Sequence, residues 1–174
     1  MVVTKNKELA AQVRRLRMHG MEDQYYSEEH GYNSRLDEVH ARILLFKLKH
    51  VENYIERRCE LAKNYQRLLC RSELILPKEA KKNRHVYQLY VVRHSKRDRI
   101  IKELRKQDIH LNISYPSPIH TMRGYSFLGY KEGDLPVTET LAKEIFSLPM
   151  YPTLSEGEQE QTCKAIKDII GRNV

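Results

Sequence analysis

The sequence predicts an α+β domain, with helices packed on a small sheet. Three observations lead to it. Apolar residues recur at helical spacing over 7–18, over 36–70 and again towards the C-terminus. The period changes in "HVYQLYVV" (85–92) and "IHLNIS" (109–114), which are short and rich in β-branched or aromatic residues. The resulting order is helix, long helix, strand, helix, strand, loop, helix, helix, a pattern suited to helices laid against a minor sheet.

Each element has its own signal. Residues 1–4 read as the tail of a strand. Leu9, Val13 and Leu16 give the first helix one apolar stripe, and Gly20 suits a left-handed C-cap. A polar and aromatic connector follows. Asn33 or Ser34 is expected to cap the next helix, because Ser34 with Asp37 approximates a capping box and Glu38 complements the helix dipole. The apolar pattern from Leu36 to Leu69 is too long for one ordinary surface helix, which predicts either a long helix or two with a bend near His50, ending near Cys70. Ser95 with Asp98 opens a helix bearing Ile100, Ile101 and Leu104. Thr138 is expected to cap a helix that carries Leu141 and Ile145 and stops at Leu148-Pro149. Ser155 with Glu158 is a capping box before the last helix, whose Cys163, Ile166, Ile169 and Ile170 face inward.

Composition narrows the function. At 174 residues the chain can bury a real core. Its net charge of +8 is spread over scattered arginines and lysines, which read as a solvated surface and not as a nucleic-acid face. No apolar run reaches the ~18 residues of a membrane span, and residues 1–6 lack a secretory apolar core. Cys59, Cys70 and Cys163 are odd in number and far apart, as expected of free thiols in a reducing cytoplasm. Phosphate-loop, dinucleotide-binding, zinc-protease and nucleophile-elbow motifs are absent, and no two histidines stand at i, i+3 or i, i+4 as helix-borne metal ligands would.

Two stretches carry possible chemistry. "HGYNSR" (30–35) places an amide, a hydroxyl and a guanidinium where a helix is expected to begin. Asn33 and Arg35 could hold an anion such as a phosphate there, or Asn33 and Ser34 could simply cap the helix. "YPSPIHTMRGYSFLGYKEGDLPVTE" (115–139) is longer than a connector needs, since structureless loops beyond ~12–15 residues are usually functional or disordered. Tyr115, His120, Arg123 and Tyr125 could line a pocket for a polar, phosphorylated ligand, with Pro116, Pro118 and Pro136 stiffening the loop. Equally, the loop could pack over the sheet for stability alone.

The same stretches carry a family resemblance. "HGYNSRLDE", "HVYQLYVVR", the 115–139 loop and "IFSLPMYPTL", in this order, resemble the C-terminal portion of the DegT/DnrJ/StrS-type nucleotide-sugar aminotransferases. The resemblance implies the aspartate-aminotransferase fold: residues 1–30 would be the tail of the large domain and a connector, and 31–174 the small domain with the long interdomain helix. It implies pyridoxal 5'-phosphate as cofactor, a keto-deoxysugar nucleotide as acceptor and glutamate as amino donor. It also implies a homodimer, or pairing with a separate N-terminal half. In that picture Asn33 resembles the residue that reaches the cofactor phosphate across the dimer. Arg35, Tyr115, His120 and Tyr125 resemble substrate-binding positions.

The chain departs from the family in one large respect. The Schiff-base lysine of such enzymes precedes a strand resembling residues 1–4, so neither it nor the ring-nitrogen carboxylate is expected here. Lys47, Lys49 and Lys131 have no matching context. "HAR" (40–42) replaces the family's Gln-Ala-Ala, which would set the Arg42 charge at a buried interface, and Gln88 stands where histidine is common. The expectation is a family portion inactive by itself, with a non-catalytic module binding a sugar nucleotide or a partner as the alternative.

Overall fold

The computed structural model describes residues 2–23 and 25–171. The chain forms two compact units divided at Val51/Glu52.

In the first unit, α1 (Lys7–Leu16) is capped by Asn6, whose side chain accepts from the Glu8 and Leu9 amides. Residues 2–4 are not a strand, since no described neighbour offers a ladder to them. The connector contains a small antiparallel hairpin, β1 (Met21–Asp23) with β2 (Tyr26–Ser27), that the sequence did not announce. Gly20 is left-handed, as expected, with φ +75°. However, the helix itself ends at Arg17 in a right-handed conformation. α2 (Glu38–Leu48) and α3 (Val51–Leu69) are separate helices that break at Lys49-His50, the second of the two arrangements the sequence allowed.

The cap of α2 differs from expectation. It is Asp37, not Asn33 or Ser34: its extended backbone lets the carboxylate accept the His40 amide at 2.8 Å. That hydrogen bond holds the Asp37 carboxyl below its ordinary pKa. The Ser34 amide is already spent on the Arg17 carbonyl, at 3.0 Å.

α2 buries nothing. Val39, Ile43, Leu44, Leu45, Phe46 and Leu48 are all exposed, and so is Arg42. A helix apolar on every side belongs in an interior. Among the described residues of the first unit, Gly20 is the sole buried one.

The second unit has a closed core. β3 (Tyr90–Arg93) pairs antiparallel with β4 (Ile145–Leu148). The pairs Tyr90↔Leu148 and Val92↔Phe146 put four buried apolar side chains on one face of the sheet. Leu61, Tyr65 and Leu69 of α3, Ile100 and Leu104 of α4 (Arg97–Arg105), and Ile166 and Ile170 of α6 (Glu156–Gly171) complete that core. The Tyr65 ring lies tilted against Tyr90 at 4.9 Å and its hydroxyl donates to the Pro149 carbonyl, and burial raises both phenols' pKa. Burial also pushes the Cys163 thiol up to about 12. Buried Arg97 donates to the Ala142 and Ile145 carbonyls, tying α4 to the end of α5 (Pro136–Glu144) and the start of β4.

The sheet corrects the predicted strands. Only Tyr90–Arg93 of the 85–92 stretch is strand; Tyr87 has φ +46°, which no ladder tolerates. In 109–114 the side chains alternate as expected, with Ile109, Leu111 and Ile113 half-buried. The segment nevertheless pairs at one bridge alone, Asn112↔Ser147. Residues 145–148, read as the end of a helix, are β4. A short apolar run fits either state, and pairing along β3 decides it. Thr138 does not cap α5, which starts at Pro136 with Leu135 as N-cap. Likewise Lys96, not Ser95, precedes α4, without a side-chain cap. The Ser155–Glu158 capping box is present: each residue's side chain accepts from the other's backbone amide, at 3.3 and 2.9 Å.

Candidate functional site

The candidate residues fall in both units. In the first, residues 32–34 are pinned beside the end of α1. The Tyr32 amide donates to the Leu16 carbonyl, the His19 amide to the Tyr32 carbonyl and the Ser34 amide to the Arg17 carbonyl. Glycine makes this approach possible: a Cβ on Gly31 would lie 2.0 Å from the Gly20 nitrogen, and one on Gly20 1.8 Å from the Glu29 carbonyl oxygen. The result holds Asn33 in an antiparallel bridge with Met18. Arg35 Nε then donates to Asn33 Oδ1 at 3.3 Å, and both side chains are exposed. Because α2 starts at Glu38, this pair does not sit on a helix N-terminus. Its donors are the amide and the guanidinium themselves. They suit a phosphate, since Arg35 offers a charged fork and Asn33 a neutral donor beside it. Arg35 and Ser34 also line a cleft of about 960 Å³ with Arg14, Arg17 and Leu36, and no carboxylate is among its lining residues.

In the second unit the 115–139 loop is ordered by short 3-10 turns, Ile119–Thr121 and Arg123–Leu128, and by left-handed Gly129 and Gly133. Its apolar and aromatic side chains point outward. Tyr115 is 71% exposed and Phe127 79%, and Tyr125 and Tyr130 are exposed as well. His120 is different. It is buried, its Nε2 lies 2.9 Å from Glu139 Oε1, and the Tyr130 ring stands edge-on to it at 6.3 Å. The Glu139 carboxyl lies below its ordinary pKa, chiefly because of the His120 hydrogen bond, helped by the Gly133 and Leu135 amides. The structure thus brings Asn33 and Arg35 together in one unit. In the other it sets Tyr115, His120 and Tyr125 on one loop. Sequence reasoning missed Glu139 and Tyr130. Glu139 sits four residues beyond Leu135, at the start of a helix, where a carboxylate can reach back to free amides. Among the described residues no group of three potential metal ligands occurs, and no helix is long and apolar enough to cross a membrane.

Residues 1–167 match the DegT/DnrJ/EryC1/StrS aminotransferase family. The chain belongs to this family. It is 49% identical to the dTDP-3-amino-3,4,6-trideoxy-alpha-D-glucose transaminase of Micromonospora megalomicea, over 97% of this chain and 47% of that protein. It is 40% identical to the pleiotropic regulatory protein of Geobacillus stearothermophilus, over 97% of this chain and 46% of that protein. In structure it superposes on DesV of Streptomyces venezuelae with a TM-score of 0.87 and 34% identity, covering 95% of this chain and 45% of that one. This family member is therefore the C-terminal part of an aminotransferase fold, and it spans about half the length of the relatives it matches. The family's cofactor is pyridoxal phosphate.

Proposed function

We propose that this chain supplies the C-terminal portion of an aminotransferase acting on a keto-deoxysugar nucleotide, with glutamate as amino donor, in cytoplasmic amino-sugar synthesis. Residues 1–30 serve as the tail of the large domain, and residues 31–174 as the small domain. The observation that carries this reading is the Asn33–Arg35 donor pair, a cation and an amide fixed side by side and open to a phosphate. Asn33 would hold the cofactor phosphate from across a dimer, and Arg35 the charge of the nucleotide sugar. Tyr115, Tyr125 and His120 would form one wall of the sugar pocket and keep water from it. Pyridoxal phosphate, when bound, supplies the electron sink that lets an amino group move between carbons. None of this chain's lysines stands in a context suited to the Schiff base, so activity depends on the portion of the relatives' length that these residues do not span.

One observation favours a non-catalytic reading, a module that binds a sugar nucleotide or a partner: the second unit closes its own core. Titration calorimetry tests the phosphate site that both readings use. Arg35→Ala is expected to weaken pyrophosphate binding about tenfold, as for a lost charge-assisted hydrogen bond. Unchanged affinity would remove Arg35 from the phosphate site.

A further inference from the structure

One carboxylate organises the far end of the aromatic loop. Glu139 Oε1 accepts from His120 Nε2 at 2.9 Å and from the Leu135 amide at 3.3 Å. Both Glu139 oxygens accept from the Gly133 amide, at 2.8 and 3.0 Å. Gly133 has φ +96°, and the Lys131 amide donates to Asp134 across the same turn. Glu139 therefore ties the buried imidazole to the 131–135 turn, and no other side chain among the described residues holds both.

The chemistry of this contact fixes more than position. An ionised carboxylate only accepts hydrogen bonds, so the proton between the two groups resides on His120 Nε2. In the neutral ring Nδ1 is then the lone-pair acceptor. Nor is that nitrogen stranded in the interior: among the described residues Arg58 Nε is the sole sealed polar side-chain atom without a partner.

We propose that Glu139 is a positioning residue, which locks His120 as its Nε2–H tautomer and so makes the loop select a ligand hydroxyl that donates to Nδ1. The hydroxyl is that of a sugar, and this part rests on the reading of the loop as a substrate wall. Glu139 itself touches no ligand; it acts through His120 and through the turn that carries Tyr130 past the ring.

Two-bond proton–nitrogen correlation spectra of the chain with 15N-labelled histidine, recorded at alkaline pH where an imidazole is neutral, test it. His120 is expected as the Nε2–H tautomer in the wild type and as a mixture in Glu139→Gln, whose neutral amide can also donate. Glu139→Ala is expected to raise tryptic cleavage at Lys131 at least about tenfold, as the opening equilibrium loses the charge-assisted bonds of the Glu139 carboxylate. An Nδ1–H wild-type ring, or the same tautomer in wild type and Glu139→Gln, would overturn the positioning role. That comparison needs no ligand. Adding dTDP-glucose is expected to shift Nδ1 alone of the two nitrogens. A fixed Nε2–H tautomer with no Nδ1 shift would overturn the hydroxyl selection and the substrate-wall reading, while the positioning role stood.

Discussion

Amide hydrogens of residues 2–51 are expected to exchange with solvent almost as fast as in an unfolded chain. Those of β3 and β4 are expected to be protected at least about a thousandfold, as in a domain of ordinary stability. The contrast follows from where side chains are buried. The first unit offers no buried apolar side chain among its described residues, and α1 and α2 each bury none. Helices of 10 and 11 residues are marginal in water without tertiary packing. The second unit buries Tyr65, Leu69, Val92, Leu104 and Ile166 completely, at 0% exposure each. Mass spectrometry of deuterated peptides reads both units in one experiment. Equal protection of α2 and β3 would mean that Leu44, Leu45, Phe46 and Leu48 are covered after all.

Replacing Ile166 by alanine is expected to cost about 2–5 kcal/mol of the second unit's stability, the range for emptying a filled core position. Ile166 lies on α6 within the cluster shared with α3, α4 and both core strands, so no single neighbour can relax into the space. Leu44→Ala is the matched control. That side chain is 55% exposed, and its loss is expected to change the unfolding free energy from urea titration by no more than about 0.5 kcal/mol. A cost below about 1 kcal/mol at Ile166 would contradict the packing of α6 on the sheet.

The second unit was largely legible in the sequence because its elements carry periodic patterns that tertiary packing agrees with. The inward set on α6 and its Ser155–Glu158 box rest on local chemistry, and both are present. Two of the strand errors share one cause, partner choice. Residues 109–114 have strand alternation but gain a single bridge, whereas 145–148 lie beside β3 and become strand despite a helical lead-in. Asp37 and not Ser34 caps α2 because the helix begins at Glu38, with Asp37 extended just before it, while the Ser34 backbone is held in place by a bond to Arg17, seventeen residues back. Of the candidate site, Asn33, Arg35 and the 115–139 loop were readable as unusual chemistry. The Glu139 contact was not, because it joins residues nineteen apart through a turn whose shape depends on Gly133.

The apolar α2 and the donor pair just before it point the same way. Both suit a larger aminotransferase body, and the relatives are about twice the length of this chain. The most direct test is a titration of the 174-residue chain with pyridoxal phosphate, followed by borohydride reduction and intact-mass analysis. No stoichiometric reduced adduct is expected on any defined lysine. A single adduct at one lysine, with a matching cofactor absorbance band, would contradict that expectation and place a complete cofactor-binding lysine within these residues.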